Sequence, residues 1–138
     1  GLGEILSKVK IEPYRKLGYD LDLNLKNLIP ILYKNDFKFF SNENSLYNYA
    51  KKLDFSKEDI IVISMLNFIH DISENNLIEL IEKCHKNLGK YILIIDNIFV
   101  KSEVYRFNHH SFLFNHNGLI KYWSRFDSLR SLYCIQIG

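Results

Sequence analysis

The feature that most constrains this chain is a strand–helix–strand pattern at its middle. Ile60-Ile61-Val62-Ile63 sets four β-branched residues in a row before Ser64. A run without polar alternation is what a strand covered on both faces needs, and such strands belong to parallel sheets. Leu77, Ile78, Ile81, Cys84, His85 and Leu88 then recur at the spacing that places them on one helical face. Ser73 or Asn75 is the natural cap of that helix, and Gly89 its natural stop. Tyr91–Ile95 is a second apolar run, ending at Asp96. Two covered strands joined by an amphipathic helix form a crossover unit, expected to be right-handed.

The flanking segments extend the pattern. Glu4–Lys10 reads as a short helix presenting Ile5, Leu6 and Val9, ended by Pro13. Tyr14–Asp20 is a strand interrupted by Arg15 and Lys16. Asp22–Lys34 is a helix with Leu25, Leu28, Ile29 and Leu32 on one face, and Pro30 inside it predicts a kink or a separate first turn. Phe37–Phe40 is an aromatic strand. Ser45 is expected to cap a helix to Lys52 that buries Leu46, Tyr49 and Leu53. Toward the C-terminus, Ser111–Phe114, Leu119–Trp123 and Tyr133–Ile137 read as strands and Asp127–Leu132 as a helical turn. The predicted fold is α/β: an open, mostly parallel Rossmann-like sheet with helices on both faces and an antiparallel C-terminal edge.

Composition narrows the function. A chain of 138 residues with 47% hydrophobic and 25% charged side chains folds as a single domain and is not a disordered tail. Eighteen basic against sixteen acidic side chains leave +2, too small a surplus for a dedicated nucleic-acid binder. No apolar run reaches the length of a membrane span. Cys84 and Cys134 are 50 positions apart, which fits neither a disulfide framework nor a zinc knuckle and points to a reducing, cytoplasmic setting.

Ligands of open α/β sheets bind beyond the carboxyl ends of the strands. Those ends are expected at Asp20, Asn42, Ser64–Asn67 and Asp96–Asn97. Gly1 and Gly3 precede a helix and would let an anion approach the backbone. Asp20 follows Gly3 by 17 positions, close to the interval at which an acidic residue meets ribose hydroxyls, and Asp22 doubles as a helix cap. Asn42 would read an adenine amine or serve as an ordinary turn residue. His70 lies in the loop after the most apolar strand and titrates in the range of a general base. His109, His110 and His116 are spaced unlike any metal motif, so no metal ligands are assigned.

The order of these pieces resembles the class I S-adenosylmethionine-dependent methyltransferases. Gly-x-Gly, Gly18-Tyr19-Asp20-Leu21-Asp22, Phe37–Asn42, Asp59–Ser64, Met65-Leu66-Asn67-Phe68-Ile69-His70-Asp71, Asn87-Leu88-Gly89-Lys90 and Tyr91–Asp96 follow one another as in that family. The resemblance covers roughly residues 1–97. It implies S-adenosylmethionine as cofactor, with Gly1 and Gly3 in its loop, Asp20 on the ribose, Leu21 on the adenine, Asn42 at the adenine amine, and Ser64 and Met65 under the methionyl part. His70, and then His109 or His110 from a lid-like segment, would be the catalytic candidates, acting on a small-molecule or sugar-like acceptor. The family's first strand has no counterpart, so the resemblance implies a single, N-terminally incomplete methyltransferase-like domain over 1–138. Its antiparallel terminal hairpin would come from Leu119–Ile137.

Two other readings stand beside it. Asp20-Leu21-Asp22 resembles the Asp-x-Asp of haloacid-dehalogenase-like phosphatases, which implies Asp20 as nucleophile and Asp22 as acid/base around magnesium. A catalytically silent methyltransferase-like module that binds a partner chain is the third. Nothing in the sequence fixes an oligomeric state.

Overall fold

In a computed structural model the described residues are 2–34, 36–124 and 129–138. The chain divides into two units, residues 1–55 and 56–138.

In the N-terminal unit, α1 (Leu2–Lys8) precedes a 3₁₀ turn at Pro13–Arg15, which starts at the one position where a missing N–H costs nothing. β1 (Leu17–Tyr19) and β2 (Lys38–Phe40) form a parallel pair, Leu17 opposite Lys38 and Tyr19 opposite Phe40. Between them runs α2 (Leu23–Tyr33), and α3 (Glu43–Ala50) follows. Phe37, Tyr47 and Ala50 are buried. Gly18 lies tight against this packing: a Cβ there would meet the Phe37 ring at 3.0 Å and the Phe39 ring at 3.3 Å, so the rings would have to give by a few tenths of an ångström.

Several expectations are corrected in this unit. α1 begins before Glu4 and stops at Lys8, so Gly3 is a helical residue and not part of a loop ahead of the helix. α2 runs through Pro30 as one element, and none of its residues is buried; Leu28 and Leu32 are exposed. Asn42, not Ser45, caps α3, and its side chain accepts from the Ser45 N–H. The residues that α3 buries are Tyr47 and Ala50, while Leu46, Tyr49 and Leu53 are half-buried.

In the C-terminal unit, β3 (Val62–Met65), α4 (Glu74–Leu88) and β4 (Tyr91–Ile98) make the parallel crossover. α5 (His110–Phe114), β5 (Leu119–Ser124) and β6 (Arg130–Ile137) complete the unit. The strand order is β3-β4-β6-β5, with β6 antiparallel to both neighbours. The architecture is thus α/β with open sheets, one two-stranded and parallel, one four-stranded and mixed. The expected antiparallel C-terminal edge is present. The expected predominance of parallel pairing is not: within the larger sheet only β3–β4 is parallel. The core gathers on β4 and β6, where Leu93, Ile95, Tyr133 and Ile135 are fully buried, and under Leu77, Ile81 and Cys84 of α4.

α4 starts at Ser73, whose side chain accepts from the Asn76 N–H, and stops at Gly89 with φ +76°. His85, expected on the buried stripe, is exposed. β3 is an edge strand and is not covered on both faces; Ile60 lies outside it, 73% exposed, and Val62 is 54% exposed. β4 does not end at Ile95, because Asp96, Asn97 and Ile98 stay in register with Leu132, Ser131 and Arg130. Ser111–Phe114 is helical, Arg130–Leu132 belongs to β6 and Leu129 is a bend before it; Asp127 and Ser128 of the expected turn lie outside the described residues.

Candidate functional site

At the C-terminal end of β3 the larger sheet gathers several polar side chains. Met65 pairs with Ile95, after which β3 turns away while β4 continues. The turn is made by Asn67 in the left-handed region, φ +56°, which an Asn tolerates better than most residues. Its N–H donates to Asp96 Oδ1 at 2.7 Å. Arg130, opposite Ile98 on β6, places Nη1 3.4 Å from Asp96 Oδ2 and donates through Nη2 to Asn67 Oδ1 at 3.3 Å. Asp96 is 3% exposed, so its charge is held by a guanidinium and a backbone amide in place of water.

Asn97 anchors the next layer. Its Oδ1 accepts from the His109 N–H at 2.7 Å, and its Nδ2 donates to Asn108 Oδ1, which also accepts from the His110 N–H. This pins the turn into α5. His109 is buried, and its Nε2 lies 3.1 Å from the Ile69 carbonyl. A carbonyl only accepts, so Nε2 is the donor here and Nδ1 is the ring's other nitrogen. That Nδ1 is buried without a partner, as is Ser64 Oγ. The segments around 69–70 and 105–109 are further joined by the Phe107 N–H donating to the His70 carbonyl and by an edge contact of His70 and Tyr105, ring centres 4.7 Å apart.

His110 makes a third feature. Its Nδ1 is 2.6 Å from the Tyr133 hydroxyl. Burial raises the Tyr133 pKa well above the ordinary phenol range; the neighbouring Tyr122 phenol adds to this and a hydrogen bond with Ser131 opposes it. The phenol therefore keeps its proton, and the His110 tautomer sets which of the two groups donates.

Of the residues anticipated from sequence, Ser64, Met65, His70, His109 and His110 belong to the C-terminal unit, and His109 is tied to the His70 loop. Ser64 is half-buried and Met65 buried. Asp20, Leu21 and Asn42 belong to the N-terminal unit. There Asp20 Oδ1 accepts from the Asp22 N–H, Asp22 caps α2 through the Asn24 N–H, and Leu21 is 76% exposed. Gly1 lies outside the described residues. Sequence reading missed Arg130 and Tyr133, and it did not foresee that Asn97 and Asn108 bond to each other. Asp96-Asn97 directly after an apolar run was the available signal, because polar residues that continue a covered strand must find partners.

An open depression of about 640 Å³ lies elsewhere in the C-terminal unit, lined by Ile81, His116, Gly118, Leu119, Gln136 and Ile137, and includes none of these residues. No helix among the described residues is long and apolar enough to cross a membrane. Comparison with protein-family models, curated proteins and solved structures finds no match.

Proposed function

We propose that the chain is a class I methyltransferase-like domain that binds S-adenosylmethionine and passes its methyl group to a small acceptor. The observation that carries this reading is the pair of unmatched buried polar atoms, Ser64 Oγ on β3 and His109 Nδ1 bound to the loop after it. A buried group without a partner costs about 1–3 kcal/mol and persists where something completes it. Both belong to the region where an open α/β sheet takes its ligand. The antiparallel β5–β6 hairpin at the sheet edge supports the same reading.

In the C-terminal unit, Ser64 Oγ and the Met65 side would meet the methionyl portion, and His70 would border the acceptor. When bound, the cofactor supplies an electrophilic methyl on a sulfonium. The chain's own part is alignment and exclusion of water.

Isothermal titration of the full chain with S-adenosylhomocysteine tests the reading. Saturable one-site binding is expected, weakened by Ser64→Ala through loss of a buried hydrogen bond. A flat titration sinks it.

A further inference from the structure

His110 opens α5 inside a ring of aromatic side chains. Phe99 and Phe114 lie 5.3 and 5.1 Å from its ring centre, and Tyr122 5.9 Å. Behind it, Tyr133 is wholly buried, with its hydroxyl 2.6 Å from Nδ1. An imidazole that accepts at Nδ1 carries its hydrogen on Nε2, and a second proton would add to Nδ1 and leave that hydrogen in place. With Tyr133 donating, Nε2 is a donor in both charge states. It has no partner among the described residues and is not sealed from solvent. The ring is half-buried, and Phe114 is 46% exposed, so the aromatic wall is open on one side.

We propose that His110 Nε2–H, walled by Phe99, Phe114 and Tyr122, binds a planar aromatic molecule through an anionic oxygen, with Tyr133 as the positioning residue that holds the imidazole tautomer. Aromatic walls favour a flat ring by offset or edge contact. A fixed N–H donor favours an oxygen that carries charge, because charge-assisted hydrogen bonds are the stronger ones. As the site of the methyl acceptor this rests on the methyltransferase reading, and it makes the acceptor a phenol-like or aromatic carboxylate compound whose oxygen is steadied as an anion. His110 then acts by donation and takes no proton.

The test uses the full ¹⁵N-labelled chain with 4-nitrophenolate at mildly alkaline pH. Long-range ¹H–¹⁵N spectra are expected to show His110 as the pure Nε2–H tautomer, and Tyr133→Phe to turn it into a mixture. The probe is expected to bind saturably, move the His110 Nε2 resonance, and lose at least about tenfold in affinity in His110→Phe, which keeps the stacking surface. Should that variant unfold because Tyr133 loses its acceptor, His110→Phe combined with Tyr133→Phe removes both polar partners and serves in its place. An Nδ1–H tautomer, equal affinity in the variants, or no saturable binding overturns the proposal. Probe binding without S-adenosylhomocysteine binding overturns the methyl-transfer reading and leaves the aromatic site standing.

Discussion

The Asn67 N–H meets the Asp96 carboxylate at 2.7 Å although 29 positions separate the two residues. The bond ties the turn after β3 to a strand that runs on past it. Asn67 is held at φ +56°, where a Cβ-bearing residue other than Asn is strained by about 1 kcal/mol or more. Asn67→Ala keeps the N–H but adds that strain and removes the acceptor for Arg130, so a loss of about 1–2 kcal/mol is expected in urea unfolding. Asn67→Gly removes the same acceptor without the strain and should lose less. Equal losses would place the whole effect on the Arg130 contact.

Arg130→Met leaves the Asp96 carboxylate buried against a single amide. Its guanidinium side chain is 40% exposed, so the pair is partly screened, and the expected loss is about 2 kcal/mol, below the range for a wholly buried pair. Adding Asp96→Asn should restore part of it. A double variant less stable than the single one, by urea unfolding, would contradict this account.

Ser64→Ala separates binding from stability. The hydroxyl is buried with no partner, so its removal should leave stability unchanged or raise it by up to about 1 kcal/mol. The same change should weaken S-adenosylhomocysteine binding in a titration. A destabilised Ser64→Ala with undiminished affinity would mean that the hydroxyl works for the fold.

High pH should unfold the chain through two phenols. Burial raises the pKa of Tyr91, with a further push from Cys84, and that of Tyr133 above the ordinary value of 10.0. Below about pH 10 both are neutral in the folded and the unfolded chain, and their contribution is complete. Above it the unfolded chain releases protons that the folded one retains, so stability falls as the pH climbs toward the raised values. Melting temperatures should begin to drop as the pH passes about 10 and keep falling above it. Tyr91→Phe, which also gives up a 3.0 Å bond to the Ile81 carbonyl, should lower stability at neutral pH yet flatten the alkaline decline.

Gly118→Ala should be severe. A Cβ at Gly118 would run into the backbone carbonyl of Gln136, whose N–H donates to Gly118 O at 2.8 Å. Backbone cannot yield as a side-chain tip does, so β5 would have to leave β6, with a loss above about 2 kcal/mol in urea unfolding.

What could be read from sequence divides along physical lines. α4 was legible because its cap, its stripe and its terminal Gly agree, and such consistency leaves one answer. The length of β4 was hidden by Asp96 and Asn97, which look like the end of a strand until β6 and the 108–110 turn supply their partners. Phe112 and its neighbours form too short a run to separate helix from strand by period, and tertiary packing decided for helix. β3 has the residues of an interior strand but stands at an edge, a matter of which strands exist to pair with it. Of the candidate site, the histidines and Ser64 were visible as types. The Tyr133–His110 bond was not, because it joins residues 23 positions apart by a register that only the folded sheet defines.

The inner place of β6 has a consequence for biosynthesis. β5 is made first but pairs only with β6, and β4 has just β3 beside it until residues 130–137 have emerged. The sheet thus assembles late, after an interval in which apolar strands stand uncovered, and that interval is when a nascent chain of this kind is most open to capture by chaperones or by its own kind.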